Sequence, residues 1–301
     1  MMQISDRIRH FFYATVHPHT FAVLRIGFAL FLMLYWYAQW REVTRLTPAG
    51  GITLPAVVDY PLWLDVILRP SLGVAHGFFV LIFVALVFLL LGSYTRTAAV
   101  VLLLLSAHYH VWNQWMFATS YYRLFQFTLA VMLLPGADRA FSLAMLRRHG
   151  SVWEWEPMSV LPLRFLGLQL TATYLGVGWQ KLILPGWTSG EILFRSFTSR
   201  WGTEFGFFLA RTMPSVLLDW MMRTTLVIEL AMPFALWIRR LQVFAFLGGF
   251  VFHTMVTLTM SIWWFQIMVP MYVVFLDPAV VFARLRIWSG NRIPLRPAGT
   301  E

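Results

Sequence analysis

Lys181 is the only lysine in the chain; every other basic side chain is an arginine. Arginine keeps its charge at any accessible pH, whereas a lysine releases its proton when it is desolvated. A lone lysine in an arginine background therefore marks a position where a permanent charge would not serve. The plainer account is a helix-end cation reaching for the interface. Lys181 stands in Y-L-G-V-G-W-Q-K-L-I-L-P-G-W-T-S-G, from Tyr174 to Gly190, after an apolar run and before a Pro-Gly turn. On a helix Tyr174, Gly178 and Lys181 fall at i, i+4 and i+7 and share a face. Gly176 and Gly178 remove side chains just inward of the lysine, so either a neighbouring helix approaches closely or a flat ligand lies there. Trp179 and Trp187 flank the turn, as interfacial aromatics or as walls of a site.

The other candidates are ionisable groups inside apolar runs, where each charge costs about 3 kcal/mol even on lenient insertion scales. They are Arg25, Arg123, Arg164, Arg223, Glu229 and His253. Glu229, in L-V-I-E-L-A-M, has two readings, an ion pair with Arg25 or Arg123 and a site carboxylate, and the second is preferred. Arg223 is six residues from it and does not share its face. Arg164, near a helix end, reads as a snorkelling anchor. His253, in F-V-F-H-T-M-V, reads on its own as a packing residue. His108 and His110 point apart on a helix, and no H-x-x-x-H, H-E-x-x-H or cysteine supports a zinc or haem site, so no metal is expected. Nucleotide-binding and nucleophile-elbow motifs are absent from credible contexts.

These groups must be held by helices in a membrane. The 301 residues are 59% hydrophobic and 12% charged, with a mean hydropathy of +0.68; a soluble domain carries roughly 25% charged residues. The composition predicts an all-α, polytopic membrane bundle of one domain, 1–301. Its spans are expected at about Phe21–Ala38, Gly73–Leu91, Thr97–Trp115, Phe117–Leu134, Val160–Lys181, Val216–Trp237, Leu241–Met260 and Ile262–Leu276. Residues 1–20 read as an amphipathic arm with no cleavable signal, 39–71 as a polar loop with an interfacial piece, and 185–215 as a partly helical, membrane-lying loop. Twelve arginines fall on the segments that are inner when the N-terminus is inside, tail included, against seven basic residues on the outer ones. Both termini are therefore expected in the cytoplasm, with Lys181 at the outer end of span five. The net charge of +10 follows from that bias and is not a nucleic-acid signal.

The Lys181 stretch resembles the Y-x-x-x-G-x-x-K-L…W-x-x-G segment of vitamin K-dependent γ-glutamyl carboxylase and its bacterial relatives, the HTTM family. T-L-V-I-E-L-A-M-P around Glu229 and F-H-T-M-V-T-L-T-M-S-I-W-W-F from His253 resemble two further segments of that family. The turn L-G-S-Y-T-R and the loop A-D-R-A-F-S-L are also similar, so the resemblance covers most of residues 21–280. It implies that Lys181 is an active-site base, supported by Glu229 and His253. The cofactor would be a reduced, vitamin K hydroquinone-like quinone, bound near Tyr174, Gly178, Trp179, Trp187 and Arg123. It also implies quinol-dependent oxygenation or carboxylation-type chemistry in a bacterial inner membrane, and a possible peptide or protein partner at the periplasmic face. Two departures stand out. A-T-S-Y-Y-R, with Thr119, occupies the place of the carboxylase histidine before span four, and no large lumenal domain is expected. The alternative is a non-catalytic quinone- or lipid-binding subunit in the manner of DoxX-like proteins, or a maturation helper for a partner protein.

Overall fold

Uncharged runs rich in leucine, valine and phenylalanine must satisfy every backbone N–H and C=O internally when they lie in lipid, which leaves the helix as the simplest solution. The computed structural model describes residues 4–46, 70–112, 120–184, 186–187 and 191–299 and is all-α apart from one two-residue strand pair. The interfacial piece expected within 39–71, the end of the expected span Thr97–Trp115, and Thr119 lie outside the described residues.

In chain order the helices are α1 (Ile4–Tyr13), α2 (His19–Arg41), α3 (Val43–Leu46), α4 (Leu72–Leu91), α5 (Thr95–Trp112), α6 (Ser120–Val131), α7 (Leu143–His149), α8 (Leu161–Ile183), α9 (Glu191–Thr198), α10 (Glu204–Thr212), α11 (Ser215–Ala235), α12 (Gln242–Thr259), α13 (Met268–Met271) and α14 (Pro278–Trp288). Strand β1 (Thr15–Val16) pairs antiparallel with β2 (Met158–Ser159). The chain divides into two compact units, Met1–Pro162 with Asp277–Glu301, and Leu163–Leu276. Among the described residues α2, α4 and α12 are long and apolar enough to cross a membrane, or up to four segments if Trp263–Phe275 and Pro278–Trp288 make one broken span.

In the first unit α4 packs between α2 and α5, and α14 packs on α2. One face of α2 is buried at the spacing a helix dictates: Phe21, Leu24, Phe28, Leu32, Tyr35 and Gln39. Beyond His76 in its second turn, α4 is apolar all round. Ser71 caps its start by accepting from the Val74 N–H, and Gly92, at φ +64°, ends it in the left-handed region that favours glycine. Its outward side chains, among them Leu81 and Val84, stay exposed, as suits a helix in lipid. Lipid is as apolar as leucine, so close packing and internal polar bonds, rather than burial from water, hold such a bundle.

The central polar bond belongs to Arg25. Its side chain is wholly buried, and its guanidinium donates to the carbonyls of Ala137 and Phe141, each at 2.6 Å. A Cβ on Gly92 would sit 2.3 Å from the Arg25 Nη1, so the glycine serves both the turn and the guanidinium beside it. Arg25 thus ties α2 to the loop after α6, and the Ala144 N–H ties the end of that loop to the Gly92 carbonyl at 3.3 Å. In the same loop region Arg148 reaches both Glu156 oxygens, at 2.8 and 2.9 Å, and Asp138 at 2.8 Å. Partial burial alone would raise the Glu156 carboxyl, but His149, Arg148 and Arg139 together hold it below the usual carboxylate range.

The second unit is built from α8 to α13. The expected loop over 185–215 contains α9 and α10, so its partly helical character is found. Thr203 caps α10 through the Gly206 N–H at 3.0 Å, and its hydroxyl donates to the Leu258 carbonyl at 2.6 Å, fastening that loop to the end of α12. The stretch expected as a continuous last span is broken instead: a tight 3-10 turn at Trp263–Ile267, the short α13, and a second 3-10 turn at Tyr272–Phe275. Pro270 lies within it, lacks the N–H an α-helix needs there and crowds the preceding turn.

Candidate functional site

The site is assembled within the second unit from three helices and the broken segment. α8 brings Tyr174, Gly178 and Lys181 on one face, as their spacing requires. α11 brings Glu229 across to them. Gly178 is what allows this: a Cβ there would lie 2.7 Å from Leu230 Cδ2 and 3.7 Å from Glu229 Cβ. Of the two uses open to Gly178, the close approach of a neighbouring helix is the one found. Gly176, by contrast, has nothing within 4 Å of such a Cβ.

Lys181 and Glu229 form an ion pair, with only 14% and 7% of their side chains exposed. The partner of Glu229 is therefore Lys181 and not Arg25 or Arg123. Arg25 is committed to two backbone carbonyls, and Arg123 is exposed on α6, in the first unit. The Trp187 ring faces the Lys181 ammonium at 4.4 Å from its centroid, a cation–π contact that strengthens where water is scarce. Trp179 points away and is 62% exposed. Arg223 is exposed on α11 while Glu229 is buried, so the two do not share a face, as their six-residue separation predicted. Pro233 follows Glu229 by four residues within α11, so it has no N–H to offer the Glu229 carbonyl.

Deeper on the same α8 face, the Tyr174 hydroxyl meets two partners. It is 2.8 Å from His253 Nε2 on α12 and hydrogen-bonded to the hydroxyl of Tyr272. All three side chains are buried. A phenol has one proton, so Tyr174 can donate in only one of these bonds and must accept in the other or in both. The direction of the bond to His253 reverses if the imidazole changes tautomer. The two polar sets are within electrostatic reach: Glu229 acts on Tyr174, and Lys181 acts on His253. Two buried atoms at the site have no hydrogen-bond partner among the described residues, Glu229 Oε2 and His253 Nδ1. Buried polar atoms are nearly always paired, so these two are positioned for a ligand or for water. Among the described residues no group of three or more His, Asp or Glu side chains is placed to hold a metal ion.

Two members of the site have no signal in the sequence alone. Tyr272 is one tyrosine among many aromatics and meets Tyr174 from 98 residues away. Gly249 is silent until its surroundings are seen: a Cβ there would lie 2.5 Å from the Tyr272 hydroxyl and 2.9 Å from Met232 Cε. Gly249→Ala is expected to push Tyr272 aside, cost about 1–3 kcal/mol in the way overpacked cores do, and weaken the Tyr174 bond. A thermal melt alongside tyrosine fluorescence in detergent checks this; an unchanged melting temperature would show that α12 simply shifts.

Apolar helices with lipid-facing side chains, and a polar site enclosed among helices of the second unit, define an all-α membrane protein. A family model described as the HTTM domain matches residues 13–279, and the chain belongs to the HTTM family, which is related to vitamin K-dependent γ-glutamyl carboxylase. No curated protein and no solved structure matches the chain.

Proposed function

We propose that this protein is a carboxylase-like enzyme of a bacterial inner membrane, in which the Lys181–Glu229 pair takes and holds the proton of a lipid-soluble, reduced-quinone-like substrate. In this reading the bundle has about eight spans and both termini are cytoplasmic. The observation that carries it is the pair itself: one acid and one amine, almost enclosed, with the second carboxylate oxygen unpaired. Such a pair binds one proton between two sites. With that proton on Glu229, Lys181 is a free amine and a base; when it takes the substrate's proton the pair holds two, a neutral acid beside an ammonium, and the ion pair returns when Glu229 releases its own proton to water.

A reduced quinone fits these residues on three counts. Glu229 Oε2 and His253 Nδ1 are unpaired, so each is available to a ring hydroxyl. The Trp187 indole stands beside the ammonium as a face for an aromatic ring. When bound, such a quinol supplies electrons for the reduction of O2. The chain's own part is to orient the hydroxyl, to exclude water from a strong base, and to move a proton between Lys181 Nζ and Glu229 Oε1. Tyr174, His253 and Tyr272 hold the second polar chain fixed behind the pair.

The test is an assay of the purified protein with a reduced naphthoquinone and O2, read by mass spectrometry for an oxygenated quinone. Product supports the reading, and bound but unaltered quinone argues against it. One observation favours a second reading, a non-catalytic quinone- or lipid-binding subunit: an ion pair that already satisfies both charges needs no chemistry to explain it.

A further inference from the structure

At the C-terminal end of α4 the first unit carries a second polar feature, which the Lys181 site does not use. A cavity of about 480 Å3 opens there, and its wall bears Arg96, Arg139, Arg147 and Arg148 against a single carboxylate, Asp138. Two of these arginines are already paired. Arg148 binds Asp138 and Glu156, and Arg139 lies 3.7 Å from Glu156. The other two leave positive charge over. Arg147 donates to the Ser93 hydroxyl at 3.0 Å and lies 4.9 Å from the Tyr94 ring centroid, which positions a guanidinium with further N–H groups to give. Arg96 is exposed and has no ion-pair partner among the described residues.

The backbone adds to this. Thr95, Arg96 and Thr97 line the cavity and form the first turn of the 18-residue helix α5. The first intrahelical bond of that helix is from the Ala98 N–H to the Tyr94 carbonyl at 2.9 Å, so the three N–H groups before it have no acceptor in the helix. Such a turn attracts anions. The Thr95 side chain is 4% exposed, and its hydroxyl has no hydrogen-bond partner among the described residues.

The location narrows the anion. The turn Gly92–Tyr94 joins α4 to α5, so the cavity sits where an apolar span ends. Beside it Phe88, Leu91 and Leu146 are each more than 40% exposed, a surface for acyl chains next to a basic cup for a head group. We propose that this cavity is a binding site for the phosphate of an anionic phospholipid head group, held by Arg96, Arg147 and the first turn of α5.

Native mass spectrometry of the full chain in detergent, offered phosphatidylglycerol or phosphatidylcholine in turn, tests this. Wild type should retain phosphatidylglycerol in preference. The double variant R96Q/R147Q should lose that preference by on the order of ten-fold, given what each basic side chain contributes at an anionic surface. R96Q alone, which removes no internal bond, should lose part of it and melt as wild type does. R239Q/R240Q, which removes the same charge from an exposed turn in the other unit, should keep it. Millimolar inorganic phosphate should compete with the lipid. The proposal is overturned if R239Q/R240Q loses the preference as fully as R96Q/R147Q, which would mean diffuse attraction. It is also overturned if phosphate raises the melting temperature of wild type while neither lipid is preferred, which would mean a site for a soluble anion.

Discussion

Replacing Lys181 with methionine, or Glu229 with leucine, is expected to lower the unfolding free energy by about 3–5 kcal/mol, and replacing both together to restore most of the loss. The reason is asymmetry. The two side chains are nearly enclosed and satisfy each other; removing one leaves the other enclosed, charged and unpartnered, whereas removing both leaves apolar groups of similar volume. Gly178 sharpens the effect, because Leu230 packs into the space above it and keeps α11 from moving away to let water reach the orphan. Melting the two single variants and the double variant in one detergent reads this directly. A coupling below about 0.5 kcal/mol would mean that the two sites are energetically independent, and the pair could not then hold a shared proton.

The parts of this site that the sequence made legible are those where residue type and setting conflict. A lone lysine, an acid in L-V-I-E-L-A-M and a histidine in F-V-F-H-T-M-V each stand out because charge or polarity in an apolar run needs a partner. Their helical spacing placed Tyr174, Gly178 and Lys181 on one face. What spacing on a single helix cannot supply is the partner on another helix. Glu229 was open to Arg25 and Arg123, and only the approach at Gly178 assigns it to Lys181. Arg123 carried no local sign that its helix turns it outward, and Trp179 none that it points away while Trp187 folds back. Tyr272 and Gly249 were hidden for the opposite reason: a tyrosine among aromatics and a glycine in G-G conflict with nothing. The helices themselves followed from apolar runs, as over Gly73–Leu91. The break over Trp263–Phe275 did not, because apolarity reports burial or lipid and not whether a backbone continues past Pro270.

Lys181→Arg is expected to keep the fold and lose the chemistry. An arginine at this position can still face Glu229 and lie against Trp187, so the melting temperature should stay close to that of wild type while Lys181→Met falls. A guanidinium does not give up its proton in a protein. The pair would then be locked as an ion pair, with no free amine to act as a base. If Lys181 takes a substrate proton, formation of oxygenated naphthoquinone should fall by about 10^2–10^4-fold in both variants, the usual contribution of a positioned base. Stability and activity therefore separate in Lys181→Arg alone, and that separation discriminates between the two readings of the site. A binding subunit needs only the positive charge, so it would hold quinone equally well with arginine and without turnover in any variant. Turnover that survives in Lys181→Arg would remove Lys181 as the base and leave Glu229, through its unpaired oxygen, as the remaining proton acceptor of the pair.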